Sequence, residues 1–368
     1  MKVPFLDIRK INMAYKSEFN AAFKQFLNSG NYILGDCVKQ FEVNYATYQS
    51  SKYCLGVANG LDAITISLKS LNIGKGDEVI VPANTFIATL LAVSHVGATP
   101  ILVEPNIDTY NIDTTKIEEK ISKRTKAIIA VSLYGQAAEL DKLNVICKKH
   151  NLYLIEDNAQ AQGAYCKQKM TGTYGIISAT SFYPGKNLGA LGDAGAITTN
   201  DSSLYEFCKK YRNYGSSVKY IHDIIGINSR LDEIQALMLN IKLSNLNKEI
   251  TARQNFADIY STELQAIESL VLPKLAKNTT SVFHLYVVRT KDRYAFQSYL
   301  LKHGISTIIH YPVPPHLQKA YAHLKFKPGS FPITETIANT CLSLPMYGLL
   351  SESQLSYTID IIKKYFKK

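Results

Sequence analysis

The chain has 368 residues, 46% of them apolar and 19% charged, with a formal net charge of +11. These proportions are ordinary for a soluble globular protein, and the length exceeds what one hydrophobic core serves well, so two domains are expected. The lysines are scattered from end to end, which excludes the dense basic block of a nucleic-acid arm while leaving a positive field suited to an anionic substrate such as a nucleotide.

The chain opens without the apolar run of a signal peptide, and the first 50 residues read as partly amphipathic helices broken at Asn28-Ser29-Gly30-Asn31. A repeating rhythm follows. Residues 53–58 read as a strand, Asn59-Gly60 as a turn, and 62–71 as a helix. Gly74-Lys75-Gly76-Asp77 turns the chain into a strand at 78–81, and 85–96 is a helix. Residues 86–103 carry no formally charged side chain over 18 positions. They contain His95, Gly97 and Pro100, so a buried helix and a short strand fit better than a membrane span. Further strands are expected at 100–103, 127–131 and 152–156, with helices at 114–122 and 138–150. A β-rich run ends at Tyr183, and residues 196–199 close the sheet. Short apolar strands alternating with helices predict an α/β fold: a mostly parallel mixed sheet flanked by helices, with ligands at the carboxyl ends of the strands.

A helix and a polar, Tyr-rich loop over 211–228 come next, then a long helical run over 229–265. Strands at 282–289 and 306–309, a helix at 294–303 and two final helices complete the chain. The pattern divides it into a large domain, 1–244, which includes the N-terminal helices, and a smaller α+β domain, 245–368. The six cysteines lie far apart without a Cys-x-x-Cys pair, so zinc and thioredoxin-type chemistry have no support. With no leader or span, a cytoplasmic location is expected.

One stretch stands out chemically. Lys186 sits among Pro184, Gly185, Gly189, Gly192 and Gly195, between strand-like flanks. On this stretch alone a solvated loop lysine reads as well as a nucleophile. Asp157, 29 positions earlier, falls at the carboxyl end of a buried strand, where a carboxylate is costly unless paired or hydrogen-bonded. Alone it reads as a helix N-cap. Together the two make the pair that a pyridoxal-phosphate enzyme needs: a lysine for the Schiff base and a carboxylate for the pyridinium nitrogen. Asn59-Gly60, between strand and helix, suits a phosphate seat or an ordinary cap. Ser181 adds a hydroxyl near the same place, and Phe86 is placed to stack on a ring or to sit in the core. His310-Tyr311-Pro312 begins a proline-stiffened segment that suits a substrate rim or a rigid surface turn. Walker, dinucleotide, zinc-protease and serine-hydrolase motifs are absent.

Taken together, the motifs resemble the DegT/StrS group of pyridoxal-phosphate aminotransferases acting on nucleotide-linked ketosugars, which have the aspartate-aminotransferase fold. The likeness runs nearly end to end. It covers Pro4-Phe5-Leu6-Asp7, the segment from Gly76 to Phe86, Leu133-Tyr134-Gly135-Gln136, the segment from Glu156 to Ala161, the Lys186 stretch, the segment from Asn228 to Ala236 and His310-Tyr311-Pro312.

The resemblance implies that Lys186 carries the cofactor as a Schiff base and that Asp157 pairs with the pyridinium nitrogen. Gln160 would bond the ring hydroxyl and Phe86 would stack on the ring. Gly60, the Leu61 backbone and Ser181 would hold the phosphate. Asn228 would reach the phosphate of the other subunit, making a homodimer with shared sites, and His310, Tyr311 and Tyr183 would line the sugar-nucleotide pocket. Leu61, Ser132 and Gly348 stand where the group often has Thr, His and Pro, which blurs substrate detail.

The segment from Tyr183 to Asp193 is similar to that of enzymes that aminate the 3-position of dTDP-3-keto-6-deoxyhexoses with L-glutamate, releasing 2-oxoglutarate; enzymes acting at the 4-position tend to have His-Pro in place of Tyr183-Pro184. The implied product is a dTDP-3-amino-3,6-dideoxyhexose of galactose or glucose configuration, for a surface glycan or related amino sugar. Amination at the 4-position and a non-catalytic, cofactor-binding regulator are the alternatives. Lys186 argues against the related dehydratases, which carry His there.

Overall fold

The computed structural model describes residues 1–367. Three helices lead: α1 (Ile8–Met13), α2 (Lys16–Ser29) and α3 (Asp36–Gln49). Asp7 caps α1 by accepting the Lys10 N–H at 2.8 Å. Gly30 ends α2 at φ +63°, a left-handed conformation that glycine adopts without strain, and this is the expected break.

Strands and helices then alternate as β1 (Tyr53–Val57), α4 (Gly60–Ser70), β2 (Glu78–Pro82), α5 (Ile87–His95), β3 (Thr99–Val103), β4 (Thr125–Val131), α6 (Leu140–His150) and β5 (Tyr153–Asp157). A small hairpin, β6 (Tyr165–Cys166) and β7 (Lys169–Met170), precedes β8 (Ile177–Ser181) and β9 (Gly195–Thr199). Seven strands form one sheet in the order β1-β9-β8-β5-β4-β2-β3. Only β9 is reversed, antiparallel to both neighbours. The α/β class with a mostly parallel sheet therefore stands. The closing strand does not lie at an edge, however: β9 inserts between β8 and β1.

Successive residues of the central strands face opposite sides, and both sides are buried. Val79, Val81, Ile129 and Ile155 pack under α4 and α5 and a later helix, α7 (Ser202–Tyr211). Ile80, Ile128 and Leu154 pack under α3, α6 and α8 (Glu233–Leu243). The uncharged stretch at 86–103 becomes α5, a turn at Gly97 (φ +82°) and β3. No helix among the described residues is long and apolar enough to cross a membrane.

Several expectations fail locally. The helix expected at 114–122 is two short 3₁₀ turns, Thr114–Lys116 and Glu118–Lys120. Asp113 holds the Thr115 N–H and hydroxyl, and Ile117 is the stretch's one fully buried apolar side chain, too little to define a helix face. The loop at 211–228 contains a hairpin, β10 (Ser216–Val218) and β11 (Ile221–His222). The helical run at 229–265 breaks at Ser244-Asn245 into α8 and α9 (Leu246–Leu264), because Asn245 leaves helical geometry at φ −106°, ψ 0°.

The remaining elements are β12 (Tyr286–Arg289), α10 (Arg293–Lys302), α11 (Pro332–Thr340), β13 (Cys341–Leu344) and α12 (Glu352–Phe366). The expected strand at 282–289 starts only at 286, since Val282 and Leu285 give their N–H groups to Gly135 and Tyr134. The strand expected at 306–309 is one bridge, Ile308 to Ser343, because the Ser306 N–H goes to Val3 instead. β13, which pairs antiparallel with β12, had no expectation: it runs straight on from α11 without a turn residue. Residues of α9, α10, α12, β12 and β13 form a third apolar cluster, joined by Val3 from the chain's start.

Candidate functional site

The carboxyl ends of β1, β5 and β8 open onto a cleft of about 910 Å³. Ten of the eleven predicted site residues line it: Gly60, Leu61, Phe86, Asp157, Gln160, Ser181, Tyr183, Lys186, His310 and Tyr311. Asn228 does not. It lies exposed beyond α4, bridged to Asn213, although its neighbour Ser229 donates to Asp62 at 2.7 Å in the first turn of α4.

At one end of the cleft is the start of α4. Asn59 accepts the Asp62 N–H at 2.8 Å and caps the helix, leaving the Gly60 and Leu61 N–H groups without an intrahelical acceptor. The backbones here touch. A Cβ on Gly60 would stand 2.7 Å from the Ser181 Cβ, and one on Gly195 would stand 2.5 Å from the Asn59 carbonyl. The two glycines let α4, β8 and β9 converge, which brings two N–H groups and the Ser181 hydroxyl to one place. Such a helix start attracts a phosphate. Leu61 packs its side chain against the core, so it offers backbone alone.

Asp157 ends β5 and is 7% exposed. One carboxylate oxygen accepts the Thr89 hydroxyl at 3.0 Å, and the other accepts the Ala159 N–H at 3.2 Å. Thr89 in turn contacts the Thr85 hydroxyl at 2.9 Å. Turns follow Asp157 rather than a helix, so the N-cap alternative falls away. Burial pushes its carboxyl above the usual range, opposed by the Ala159 N–H, the Thr89 hydroxyl and the Lys186 charge.

Gln160 is held at both ends: its oxygen accepts the Tyr134 N–H at 2.7 Å, and its nitrogen donates to the Tyr311 hydroxyl at 3.2 Å. Phe86 is 51% exposed, with its ring 5.4 Å from that of Tyr311, which excludes the core-aromatic alternative.

Lys186 lies on a loop held at several points. Its N–H donates to the Tyr183 carbonyl at 2.8 Å, the Ala190 N–H donates to Phe182 at 2.8 Å, and the buried Lys242 ammonium donates to Gly189. Burial pushes the Lys186 amine down to about 8, against the pull of the Asp157 charge. The loop-charge alternative does not describe an amine on the wall of a cleft. His310, whose Nδ1 lies 2.8 Å from the Ser343 hydroxyl, is pushed down to about 4 by burial and by Lys186, so it is neutral near pH 7.

Two basic residues of the lining had no sequence expectation, His284 and Arg253. A lone histidine ahead of a strand carries no pattern. Arg253 did leave a signal: it falls in the apolar stripe Leu246, Ile250, Ala257, Tyr260 and Leu264 of α9, where an arginine is out of place.

These groups fit pyridoxal phosphate. The α4 N-terminus and Ser181 would hold its phosphate, Asp157 its ring nitrogen and Lys186 its aldehyde carbon.

The DegT/DnrJ/EryC1/StrS aminotransferase family matches residues 14–363. A dTDP-3-amino-3,6-dideoxy-alpha-D-galactopyranose transaminase of Aneurinibacillus thermoaerophilus is 51% identical over 365 residues, 99% of each chain. The erythromycin biosynthesis sensory transduction protein EryC1 of Saccharopolyspora erythraea is 44% identical over 363 residues, also 99% of each. The crystal structure of S. venezuelae DesV in complex with a ketimine intermediate superposes with a TM-score of 0.98 at 42% identity, covering 100% of this chain and 99% of DesV. Matched almost end to end in sequence and in backbone, the chain belongs to the DegT/DnrJ/EryC1/StrS aminotransferase family, with pyridoxal phosphate as its cofactor.

Proposed function

We propose that the protein transfers the amino group of L-glutamate to the 3-keto carbon of a dTDP-3-keto-6-deoxyhexose, giving a dTDP-3-amino-3,6-dideoxyhexose. The observation that carries the reading is Lys186: an amine brought down to about 8, on a cleft wall within the field of Asp157. The transaminase of A. thermoaerophilus, so similar across its whole length, supports the sugar class.

The bound cofactor supplies an electron sink for the carbon losing its proton. The chain's own residues do the rest. Asp157, held by Thr89 and Ala159, would present its carboxylate to the ring nitrogen. Lys186, released as a free amine, takes the donor's α-proton and later returns a proton to the sugar carbon. An amine near 8 has a substantial free-base fraction at neutral pH, whereas an ordinary lysine near ~10.4 has almost none. Phe86 and Gln160 would hold the ring, and Tyr183, His310 and Tyr311 line the cleft where the sugar would lie.

In the same proposal the enzyme is a cytoplasmic homodimer, each Asn228 completing the partner's phosphate seat, and each chain divides near residue 245. Incubation with glutamate and dTDP-3-keto-6-deoxy sugars of both C-4 configurations, followed by NMR of the product, tests the reaction. Amine at C-3 of either sugar supports it; amination of neither overturns it. EryC1's name favours a second reading, a cofactor-binding regulator. A glutamate-driven shift of the cofactor's visible band is expected of the transferase and not of a passive binder.

A further inference from the structure

Beside Lys186 the cleft ends against a wall that the reading above does not use. Arg253 is 2% exposed and lines the cleft. One of its terminal nitrogens donates to the Met346 carbonyl at 3.0 Å, with longer contacts of 3.4 Å to the carbonyls of Phe283 and His284. Its Nε has no partner, and its hydrogen bonds go to main-chain carbonyls rather than to a carboxylate. A buried guanidinium served by carbonyl dipoles and by the charge of Glu249, one turn away on α9 and not paired with it, is under-compensated, and an anion in the cleft would supply the missing charge.

The wall is tied directly to the reacting lysine. His284, whose carbonyl faces Arg253, places Nδ1 3.1 Å from the side-chain oxygen of Asn187, the residue after Lys186. Asn187 donates its amide nitrogen to the Val282 carbonyl at 3.3 Å, so its oxygen is the acceptor and His284 Nδ1 carries the proton. Burial, with the charges of Lys186 and Arg253, keeps the imidazole neutral. His310 is neutral as well. Among the described residues lining the cleft, Arg253 is thus the one side chain that stays cationic at neutral pH when Lys186 is a free amine.

The ligands have different needs. The cofactor phosphate has the α4 N-terminus. A sugar nucleotide is long and keeps its diphosphate away from the reacting carbon. An amino-acid donor is small, and its carboxylate is attached to the very carbon whose proton Lys186 takes. We propose that Arg253 is the subsite for the carboxylate of the amino-acid donor, with His284 fixing that wall against Asn187. The assignment rests on the aminotransferase reading.

The test separates the two halves of the reaction in the loaded enzyme. The conversion of the cofactor by L-glutamate is followed by absorbance in single turnovers, and the return half with the ketosugar is followed separately. Calorimetry with glutarate, which has the carboxylates but no amine, reads binding without turnover. Arg253→Met is expected to raise half-saturating glutamate and the glutarate dissociation constant about 10–100-fold, the worth of a charge-assisted hydrogen bond, and to leave the ketosugar dependence unchanged. Arg253→Lys, which keeps the charge and donors for the carbonyls, is expected to show the same split at smaller size and serves if the methionine variant does not fold. Unchanged glutamate and glutarate binding, or equal weakening of both substrates, overturns the proposal and leaves Arg253 a tie between carbonyls. If the wild type aminates no ketosugar while the glutamate split appears, the acceptor assignment fails and this subsite stands.

Discussion

Lys186 and Asp157 are legible in sequence because each breaks a local rule: a lysine among glycines and a proline, and a carboxylate at the end of an apolar strand. What the sequence leaves open is their environment. The Lys186 amine, lowered to about 8 from 10.5, is expected to react with an amine-selective reagent in the cofactor-free protein as its free base forms, half-maximally near pH 8. Peptide mass spectrometry across a pH series checks this, and a midpoint near that of the exposed lysines contradicts it. Asp157 has a supporter that no motif announces, the Thr89 hydroxyl on helix α5, 68 positions away in the chain. Thr89→Val removes a hydrogen bond to the anion and raises the carboxyl further. Cofactor affinity is expected to fall about 3–10-fold, less than the full worth of a bond to an anion because Asp157 keeps the Ala159 N–H, as read by equilibrium dialysis. A valine variant binding like the wild type would show that Ala159 suffices.

Elements converge on the site through backbone contact that side-chain patterns do not encode. Gly195 shows why. Its sequence context reads as one glycine of three at equal spacing, yet in the fold it is where β9 meets Asn59. Gly195→Ala is expected to force that contact apart, costing about 1–3 kcal/mol in urea unfolding and weakening cofactor binding together. A second junction binds the edge of the sheet. Arg212, at the end of α7, donates to Glu42 of α3 at 2.6 Å and to the Gly56 carbonyl of β1, while Glu42 also accepts the Gly56 N–H at 2.8 Å. Arg212 is buried and Glu42 only slightly exposed, so Arg212→Met strands a carboxylate and should lower stability by about 3 kcal/mol. Pairing it with Glu42→Gln should recover much of that, and denaturant midpoints of the three proteins decide. The missed strand β13 belongs to the same lesson: Cys341-Leu342-Ser343-Leu344 is a strand because β12 lies beside it, and alone it reads as more of α11.

At the scale of the whole molecule, Asn228 is the predicted site residue that its own cleft excludes. In the proposed dimer each active site joins Lys186 of one chain to Asn228 of the other. Mixing two inactive proteins, Lys186→Ala and Asn228→Asp, should then restore activity. In the mixed dimer one site carries both lesions and the other carries neither. Activity returning on mixing and subunit exchange, with a dimer by light scattering, is the expected result. No recovery in demonstrably mixed dimers would place Asn228 outside the partner's site.

The sequence by itself determined the alternation of strands and helices, the position of the reacting lysine and its carboxylate, and the family. Each depends on short-range order: periodicity along a strand, a motif of neighbouring residues, a residue type out of keeping with its segment. Only the tertiary structure decided that β9 lies inside the sheet, that Phe86 faces the cleft and that Arg253 and His284 wall it beside Lys186. Such contacts join residues separated by tens of positions, and Arg253 shows the physical limit. Along α9 it is an arginine on an apolar stripe, and what that stripe meets is set by the turn at Ser244-Asn245 and the carbonyls of Phe283, His284 and Met346.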